Sequence, residues 1–377
     1  MTIATLGSDQ ARLLLDARGP FASVYFDDSH DAPDAAKRLE STWQDIRRGL
    51  EEQGADAALV TVVEGAVRNA RAPVGRSGRG IIATADGVLI DEQLLLAPTR
   101  QVVRVSDLPY VVPIVEVGSD TPTYIVVAID QIGAEVSLHH GDVVHTETVE
   151  GGGHPVHEVA GAAVHGWNDP RHRVEEAIRK NVRAVAKSLT EQCDRHRPEV
   201  VFLVGHDRVR AELMAMLPQR VEARVVRPRV GARNTGEDDN LRQAIALEFQ
   251  NRRRLMSAEV ARRYRATLGP RAGLTVSGLP EVCAALREDA VDTLILGDLA
   301  DEVVLTGQDL TLVATDADSL SAFGSAATHT LRADEAIPFA ALAGGAALVR
   351  ADESLDLLDG VAALLRYPPT GSSASRQ

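Results

Sequence analysis

The sequence predicts a chain of three α/β domains in series. Its 377 residues exceed the usual size of one domain, so two or three domains are expected. Short apolar runs typical of strands alternate with helical patterns three times along the chain. Clusters of glycine and polar residues at 118–122 and 231–240 predict the boundaries between the domains. The predicted divisions are an N-terminal domain (1–120), a middle domain (121–230), a C-terminal domain (231–367) and a disordered tail (368–377).

Composition and charge limit the classes of protein to which this chain can belong. Apolar residues make up 45% of the chain, which is ample for packed cores, while aromatic residues make up only 3%. The formal net charge of −14 excludes a uniformly basic nucleic-acid-binding surface, so any contact with RNA must come from local basic patches. Cys193 and Cys283 each lie in an apolar helical pattern, which predicts buried thiols rather than a disulfide or a zinc site.

The sequence gives no sign of a membrane or secretion signal. Residues 1–7 lack a basic stretch followed by an apolar run, so they do not resemble a signal peptide. No apolar stretch approaches the roughly 20 residues needed to cross a bilayer. We therefore expect a soluble, cytoplasmic protein that does not bind a membrane.

The N-terminal domain is predicted to contain strands, one helix, a basic loop and a hairpin. Gly54 marks the end of the helix, and Asp86-Gly87 is a typical hairpin turn. Residues 108–113 are expected to be extended, because they contain two prolines. The predicted ranges are strands 21–26, 57–63, 81–84 and 88–90, helix 33–53 and a glycine- and arginine-rich loop at 68–80.

In the other two domains, buried strands again alternate with helices. In the middle domain the predicted strands are 124–130, 135–139, 143–149, 199–204 and 221–226, and the predicted helices are 170–196 and 209–217. In the C-terminal domain the predicted helices are 241–266, 278–288 and 355–365, and the predicted strands are 274–276, 291–296, 310–313 and 346–349.

Residues 150–169 form a glycine-led, histidine-rich stretch. Three consecutive glycines free the backbone to adopt conformations closed to other residues. Trp167 offers a flat face on which a base can stack. The three leading glycines, and the histidines of this stretch and of the residues just after it, are Gly151, Gly152, Gly153, His154, His157, His165 and His172.

A long basic helix follows this stretch. Asp169-Pro170 is a typical helix start, with Asp at the N-cap and Pro at the first helical position. Apolar residues then recur every three or four positions, which predicts one buried face, and the basic residues lie off that face. The apolar residues are Val174, Ile178, Val182, Val185 and Leu189; the basic ones are Arg171, Arg173, Arg179, Lys180, Arg183 and Lys187. The sequence thus predicts a flexible tip on a rigid, positively charged helix. Such a tip could be inserted into a narrow space lined by negatively charged groups.

Two further stretches resemble a known superfamily. GLPEVCAAL at 278–286, followed by AVDTLIL at 290–296, is similar to the GxxEVxxAL … GAVDxL stretch in the C-terminal domain of archaeal and eukaryotic class-one peptide release factors and of Pelota. PEVVFLVG at 198–205 resembles a strand and turn late in the middle domain of the same proteins. With the glycine loop before a basic helix, these stretches resemble the bacterial branch of the superfamily, which includes the ribosome hibernation factor Balon.

The resemblance implies binding in the ribosomal A site, against 23S and 16S rRNA, with elongation factor Tu as the expected partner. Release factors of this superfamily carry a Gly-Gly-Gln tip that helps to place water for hydrolysis of peptidyl-tRNA. Here the tip reads GGGH at 151–154, and no glutamine occurs between Gln131 and Gln192. The N-terminal domain also lacks the Asn-Ile-Lys-Ser stop-codon motif. The implied function is occupancy of the A site, with no catalytic residue, metal or cofactor.

Three surfaces are candidate contacts for rRNA. The first is the 151–172 segment, which could instead be a mobile surface loop or a histidine metal site. The second is the arginine-rich 68–80 loop, for which the alternative is a solvated hairpin. The third is the basic helix, whose charges could instead be solvated or paired with neighbouring glutamates. The predicted rRNA-binding residues are Arg68, Arg71, Arg76, Arg79, Gly151, Gly152, Gly153, His154, His157, His165, Trp167, Arg171, His172 and Arg173.

Three hypotheses on function follow from the sequence. The first is a hibernation factor that blocks translation by occupying the A site. The second is a ribosome-rescue hydrolase in which His154 replaces the missing glutamine, and the third is an interaction protein with no role on the ribosome. Catalysis at Gly205-His206-Asp207, which lies at a predicted strand end, would need a nucleophile, and the chain has no Gly-x-Ser-x-Gly motif.

Overall fold

The computed structural model shows mixed α/β structure in two compact units. It describes residues 6, 8–30, 34–69, 77–94, 96–117, 123–140, 143–150, 170–228, 239–268, 273–352 and 354–368. The discontinuous unit comprises residues 1–120 and 250–377, and the middle unit comprises residues 121–249. Within the described ranges, no helix is long and apolar enough to cross a membrane.

The N-terminal part of the discontinuous unit is a four-stranded antiparallel sheet with helices. The strand order is β3-β2-β1-β4, and six of the seven residues of the central strand β1 are buried. Helices α2 and α3 cover one face, where Trp43, Ile46 and Leu59 are fully buried. The elements are α1 (Ser8–Asp16), β1 (Phe21–Asp27), α2 (Ala35–Glu52), α3 (Ala57–Asn69), β2 (Gly78–Thr84), β3 (Gly87–Leu94), β4 (Val102–Ser106) and α4 (Val112–Val117).

Residues 57–63 begin helix α3, so the predicted strand at this position is wrong. A short apolar run of Ala, Val and Leu is compatible with either a strand or a buried helix. Asp56 acts as a helix N-cap, because its carboxylate accepts a hydrogen bond from the backbone N–H of Leu59 at 2.7 Å. Leu59, Val63 and Val67 are then buried at four-residue spacing. The predicted extended segment at 108–113 likewise runs into α4.

The C-terminal part of the discontinuous unit contains two sheets. The larger has the order β10-β16-β11-β15, in which β11 runs parallel to β15 and antiparallel to β16. The smaller has the order β13-β12-β14. The elements are the end of α8 (Asp239–Thr267), β10 (Thr275–Ser277), α9 (Leu279–Arg287), β11 (Val291–Leu296), β12 (Val303–Thr306), β13 (Val313–Ala314), α10 (Ala317–Ala322), β14 (His329–Arg332), α11 (Ala333–Ala343), β15 (Ala347–Arg350), a 3₁₀ turn (Leu358–Gly360) and β16 (Val361–Leu365).

The two parts of the discontinuous unit share a hydrophobic core, although the sequence predicts separate domains. Leu108 from the first part and Ile337 from the second belong to one buried cluster. Beside it, Arg104 donates hydrogen bonds to Asp334 at 2.9 Å and to Glu335 at 3.1 Å. Glu335 is only 3% exposed, and this burial raises the pKa of its carboxyl group. Joint burial of apolar and charged groups is what unites residues 1–120 with 250–377.

The predicted closing helix at 355–365 is wrong, because its last five residues form strand β16. Asp359 and Gly360 adopt positive φ angles of 51° and 68°, which interrupt a right-handed helix. A Cβ at position 360 would lie 1.9 Å from the carbonyl oxygen of Asp298, so only glycine fits there. The predicted strand at 310–313 is reduced to the two residues of β13, and helix α11 is not predicted by the sequence.

The middle unit is a five-stranded sheet with helices on both faces. The order is β7-β6-β5-β8-β9; β5, β8 and β9 are parallel, and β6 and β7 are antiparallel additions. Helices α5 and α6 pack on one face, and the first part of α8 brings Phe249 against Phe202 on the other. The elements are β5 (Tyr124–Ile129), β6 (Gly133–His140), β7 (Val143–Glu150), α5 (Pro170–His196), β8 (Val200–Gly205), α6 (Asp207–Met216), α7 (Gln219–Glu222) and β9 (Val225–Val226).

Most predicted elements of the middle unit are confirmed. The first four predicted strands correspond to β5, β6, β7 and β8, and both predicted helices are present as α5 and α6. The predicted strand at 221–226 is mostly wrong, since 219–222 are helical and only two residues remain as β9. The long helix predicted at 241–266 is present as α8.

Candidate nucleic-acid interface

Two neighbouring parallel strands end together at one edge of the middle unit's sheet. Ile129, the last residue of β5, is paired with Gly205, the last residue of β8. We call this the carboxyl edge, and it is where α/β proteins commonly bind ligands. Asp130 shapes the turn after β5, because its Oδ1 accepts the backbone N–H groups of Ile132 at 2.7 Å and Gly133 at 3.0 Å.

Gly205 allows the two strands to stay in register up to this edge. Its φ is +135°, which side-chain-bearing residues rarely adopt. A Cβ at this position would lie 2.1 Å from the carbonyl oxygen of Ile129. Any larger residue would therefore push β8 away from β5.

Two elements next to the glycine- and histidine-rich segment in sequence contact the carboxyl edge. Glu150, the last residue of β7, pairs with Gly133 at the start of β6. Asn181 of α5 is 1% exposed and donates from Nδ2 to the carbonyl oxygen of Gln131 at 2.9 Å, which fixes α5 against the β5–β6 turn. The part of α5 before Asn181 is about 16 Å long at 1.5 Å per residue. Strand β7 and helix α5 are thus the elements that precede and follow residues 151–169 in the chain, and we call these two elements the frame.

The predicted tip itself lies outside the described residues. This applies to Gly151, Gly152, Gly153, His154, His157, His165 and Trp167. Arg171, His172 and Arg173 belong to the first turns of α5, and their side chains also lie outside the described part of the chain. Their contacts with rRNA stay predictions.

Helix α5 presents a line of positive charge next to this frame. Ile178, Val182, Val185 and Leu189 are buried, which confirms the predicted apolar face. The basic residues Arg179, Lys180, Arg183 and Lys187 are all exposed. Three of them are spaced four residues apart, so they follow one line along the helix surface.

Few of these charges are neutralised by the glutamates that the sequence offers. Among the described contacts, Glu191 approaches Lys187 only at 4.0 Å. Glu175 pairs instead with Arg208 of α6 at 3.4 Å, and Arg208 is 72% exposed. Exposed pairs of this kind are weak. The helix therefore keeps a positive face that phosphate groups can approach.

Gly205-His206-Asp207 does not have the geometry of a catalytic pair. Asp207 forms its ion pair with Arg210, one turn along α6. His206 is exposed and precedes the helix with extended backbone angles. This segment therefore starts a helix at the carboxyl edge.

The arginines of the predicted 68–80 loop differ in their surroundings. Arg68 lies in α3, where its guanidinium contacts Glu64 at 2.8 Å and Glu40 at 2.9 Å. Arg79 lies in β2 and is 6% exposed. Arg71 and Arg76 lie outside the described residues.

The structure favours a structural role for Arg79, and its predicted contact with rRNA stays a prediction. Its Nε and Nη2 bind both carboxylate oxygens of Asp91, at 2.7 and 2.6 Å, and Nη2 also donates to the carbonyl oxygen of Ala66 at 3.0 Å. Two of the three nitrogens of the guanidinium thus bind inside the protein, and the side chain is only 7% exposed, so it offers little surface to a phosphate group.

An aromatic cluster on the sheet face opposite α5 was not anticipated from the sequence. The rings of Tyr124 and His139 stack at 4.4 Å, and Phe202 and Phe249 meet Tyr124 edge to face. Burial lowers the pKa of His139 to about 4 and raises that of Tyr124 to about 12. Both groups are therefore neutral near pH 7 and act as part of the core. These four residues are far apart in the sequence. Only the pairing register of the strands could have predicted that they meet.

No metal or thiol chemistry is evident in the described residues. No group of three potential metal-ligating side chains is found among them. Cys193 and Cys283 are buried, as predicted, and burial raises their pKa values to about 11 and about 12. Thiols with such pKa values stay protonated near neutral pH and are poor nucleophiles.

Comparison with known proteins identifies relatives along the whole chain. The proteins MT2704 and Rv2629, from two strains of Mycobacterium tuberculosis, are each 46% identical over 371 residues, covering 98% of this chain and 99% of theirs. Both are described as uncharacterized. Residues 123–270 match the model of the Bacterial archaeo-eukaryotic release factor family 2.

Two solved structures resemble the chain over nearly its full length, at low similarity. Ribosome-bound archaeal Pelota is 16% identical, covering 98% of this chain and 96% of that chain, with a TM-score of 0.39. Pelota of Archaeoglobus fulgidus is 12% identical, covering 98% and 95%, with a TM-score of 0.38. The family match spans the sheet of the middle unit, the elements that precede and follow residues 151–169, and all of α8. The chain therefore belongs to one family with the two mycobacterial proteins.

Proposed function

We propose that the protein is a ribosome-binding hibernation factor. It occupies the A site and blocks translation without hydrolysing peptidyl-tRNA. One observation carries this proposal: in a unit that matches a release-factor family, residues 151–169 begin with GGGH and contain no glutamine. A match to a release-factor family is thus combined with the absence, at this position, of the residue that release factors use to cut the ester.

The distribution of charge supports binding to rRNA through this one region. The chain has a net charge of −14, so general attraction to RNA is absent. The exposed residues Arg179, Lys180 and Arg183 supply a local positive face on α5, the helix that follows residues 151–169 in the chain. Phosphate contacts of this kind position a protein on RNA and make its affinity depend on salt. The proposed partners are the 23S and 16S rRNA of the A site, and elongation factor Tu as the protein that delivers it.

The first test is co-sedimentation of the purified protein with ribosomes in sucrose gradients. We expect the protein to migrate with vacant ribosomes at physiological salt and to be displaced as the salt concentration rises. The control is the protein alone, which should stay at the top of the gradient. Failure to comigrate with ribosomes at physiological salt would refute the proposal.

The second test separates occupancy from hydrolysis. The protein is added to stalled ribosome complexes that carry labelled peptidyl-tRNA, and released peptide is measured. We expect no release above the spontaneous rate, and the His154→Ala variant should behave as the wild type does. Release that His154→Ala abolishes would show instead a rescue hydrolase that uses an imidazole in place of glutamine.

A further inference from the structure

Among the described residues, strand β7 is a long edge strand with no strand on its outer side. It has eight residues and lies at one end of the order β7-β6-β5-β8-β9, with no further described strand beside it. It pairs with β6 along its whole length without a bulge. The strand at the other end of the sheet, β9, has only two residues. Only β7 is therefore long enough to extend this sheet.

Strand β7 lacks three of the features that protect edge strands from association, although it carries the exposed glutamates Glu147 and Glu150. Natural edge strands commonly carry a lysine, a proline or a bulge. Here VVHTETVE is rich in valine and threonine, which favour strands. All five residues from Val144 to Thr148 are exposed. The outer backbone N–H and C=O groups are therefore available to another strand.

We propose that β7 binds β7 of a second copy of this chain, as an antiparallel pair about a two-fold axis at Thr146. In this register Thr146 faces the partner's Thr146, and His145 faces the partner's Glu147. A register centred one residue later would place the Glu147 side chains of the two copies opposite each other, which is unfavourable. Only the register centred on Thr146 pairs each His145 with a Glu147, which is why we choose it.

The position of α5 adds a second contact to the same interface. Helix α5 contacts β6 and β7 alike, and Gln192 donates from Nε2 to Glu147 Oε2 at 2.8 Å, so this flank of the helix faces β7. Ala184 and Ser188 lie on that flank and are half-buried. With strands about 4.8 Å apart, the two α5 helices would be roughly 10 Å apart, a normal packing distance. Their small side chains permit this approach.

The expected affinity is modest. One strand pair and one helix flank bury less area than a permanent dimer needs, so the dissociation constant should be micromolar. The inference uses only residues of the middle unit and does not depend on binding to the ribosome.

Disulfide trapping tests the register directly. Both native cysteines are buried, so an introduced surface thiol is the reactive one. Across the proposed axis the two Cα atoms of residue 146 would be about 5 Å apart, which is within disulfide range. The two Cα atoms of residue 144 would be about 13 Å apart, which is out of range.

We expect Thr146→Cys to form a covalent dimer under mild oxidation and Val144→Cys alone to stay monomeric. A mixture of Val144→Cys with Thr148→Cys should form a mixed dimer, because these positions face each other. Equal crosslinking of Thr146→Cys and Val144→Cys, or none in either, would overturn the proposal.

A charge exchange tests the same pairing without crosslinks. Sedimentation equilibrium should show a concentration-dependent dimer for the wild type, weakened about tenfold by His145→Glu. The double variant His145→Glu with Glu147→Lys restores opposite charges and should restore the dimer. The control Thr61→Lys, at an exposed site on α3, should dimerise as the wild type does. A monomer at all concentrations, or equal weakening in the single and double variants, would contradict the proposal.

Discussion

Replacing Arg79 by methionine tests its structural role. The guanidinium is 7% exposed, whereas Asp91 is 35% exposed, so water can partly compensate the carboxylate that is left. Breaking a fully buried pair costs about 3–5 kcal/mol, and we expect about 2–4 kcal/mol here. Methionine keeps most of the packing, so the loss reflects the ionic and hydrogen-bonding contacts. For a unit of this size, Tm should fall by about 5–10 °C.

The assay is thermal unfolding, combined with ribosome co-sedimentation below the transition. Arg68→Met is the matched control, because Arg68 is exposed and paired with two exposed glutamates, and its Tm should stay close to that of the wild type. We expect folded Arg79→Met to bind ribosomes as the wild type does. An unchanged Tm together with weaker ribosome binding would show that Arg79 contacts RNA, and would refute the assignment made from its burial.

Three further predictions concern the middle unit. Gly205→Ala should lower the free energy of unfolding by more than about 2 kcal/mol in urea, since its Cβ would meet the carbonyl oxygen of Ile129 at 2.1 Å; an unchanged midpoint would contradict this. Burial lowers the pKa of His139 to about 4, so the unfolded chain binds a proton at a higher pH than the folded chain does. The free energy of unfolding should therefore fall as the pH drops from about 6.5 to 4, by at most about 1 kcal/mol per pH unit. His139→Gln should flatten that pH dependence in urea unfolding, and equal slopes would argue against it. Arg183→Glu should weaken ribosome binding and reduce its salt dependence, whereas Lys37→Glu on α2 should change neither; equal effects would indicate nonspecific attraction.

The sheet of the middle unit could be predicted because its strands are marked by local patterns. Val200–Gly205 is a continuous apolar run that ends in glycine, and the apolar face of α5 repeats every three to four residues. Helix α11 could not be predicted in this way. It is buried on nearly all sides and contains Pro338, so it lacks the polar face from which helical periodicity is recognised.

Errors arose where a distant contact or a single residue decides the local structure. Residues 57–63 have the composition of a strand, but the capping carboxylate of Asp56 starts a helix. The role of Arg79 follows from the hairpin register, which pairs Arg79 with Gln93 and places Asp91 diagonally opposite. This register could have been predicted from the Asp86-Gly87 turn, because a hairpin turn fixes the register of the strands that it joins. The shared core of residues 1–120 and 250–377 has no local signal.

The central claim is that the protein blocks the A site without cutting peptidyl-tRNA. The most direct measurement uses ribosomes with labelled peptidyl-tRNA in the P site and a cognate aminoacyl-tRNA in solution, with both A-site tRNA binding and released peptide recorded as the protein is titrated. We predict that A-site tRNA binding falls with increasing protein while the peptide stays attached. Undiminished A-site tRNA binding at saturating protein, or release of the peptide, would contradict the claim.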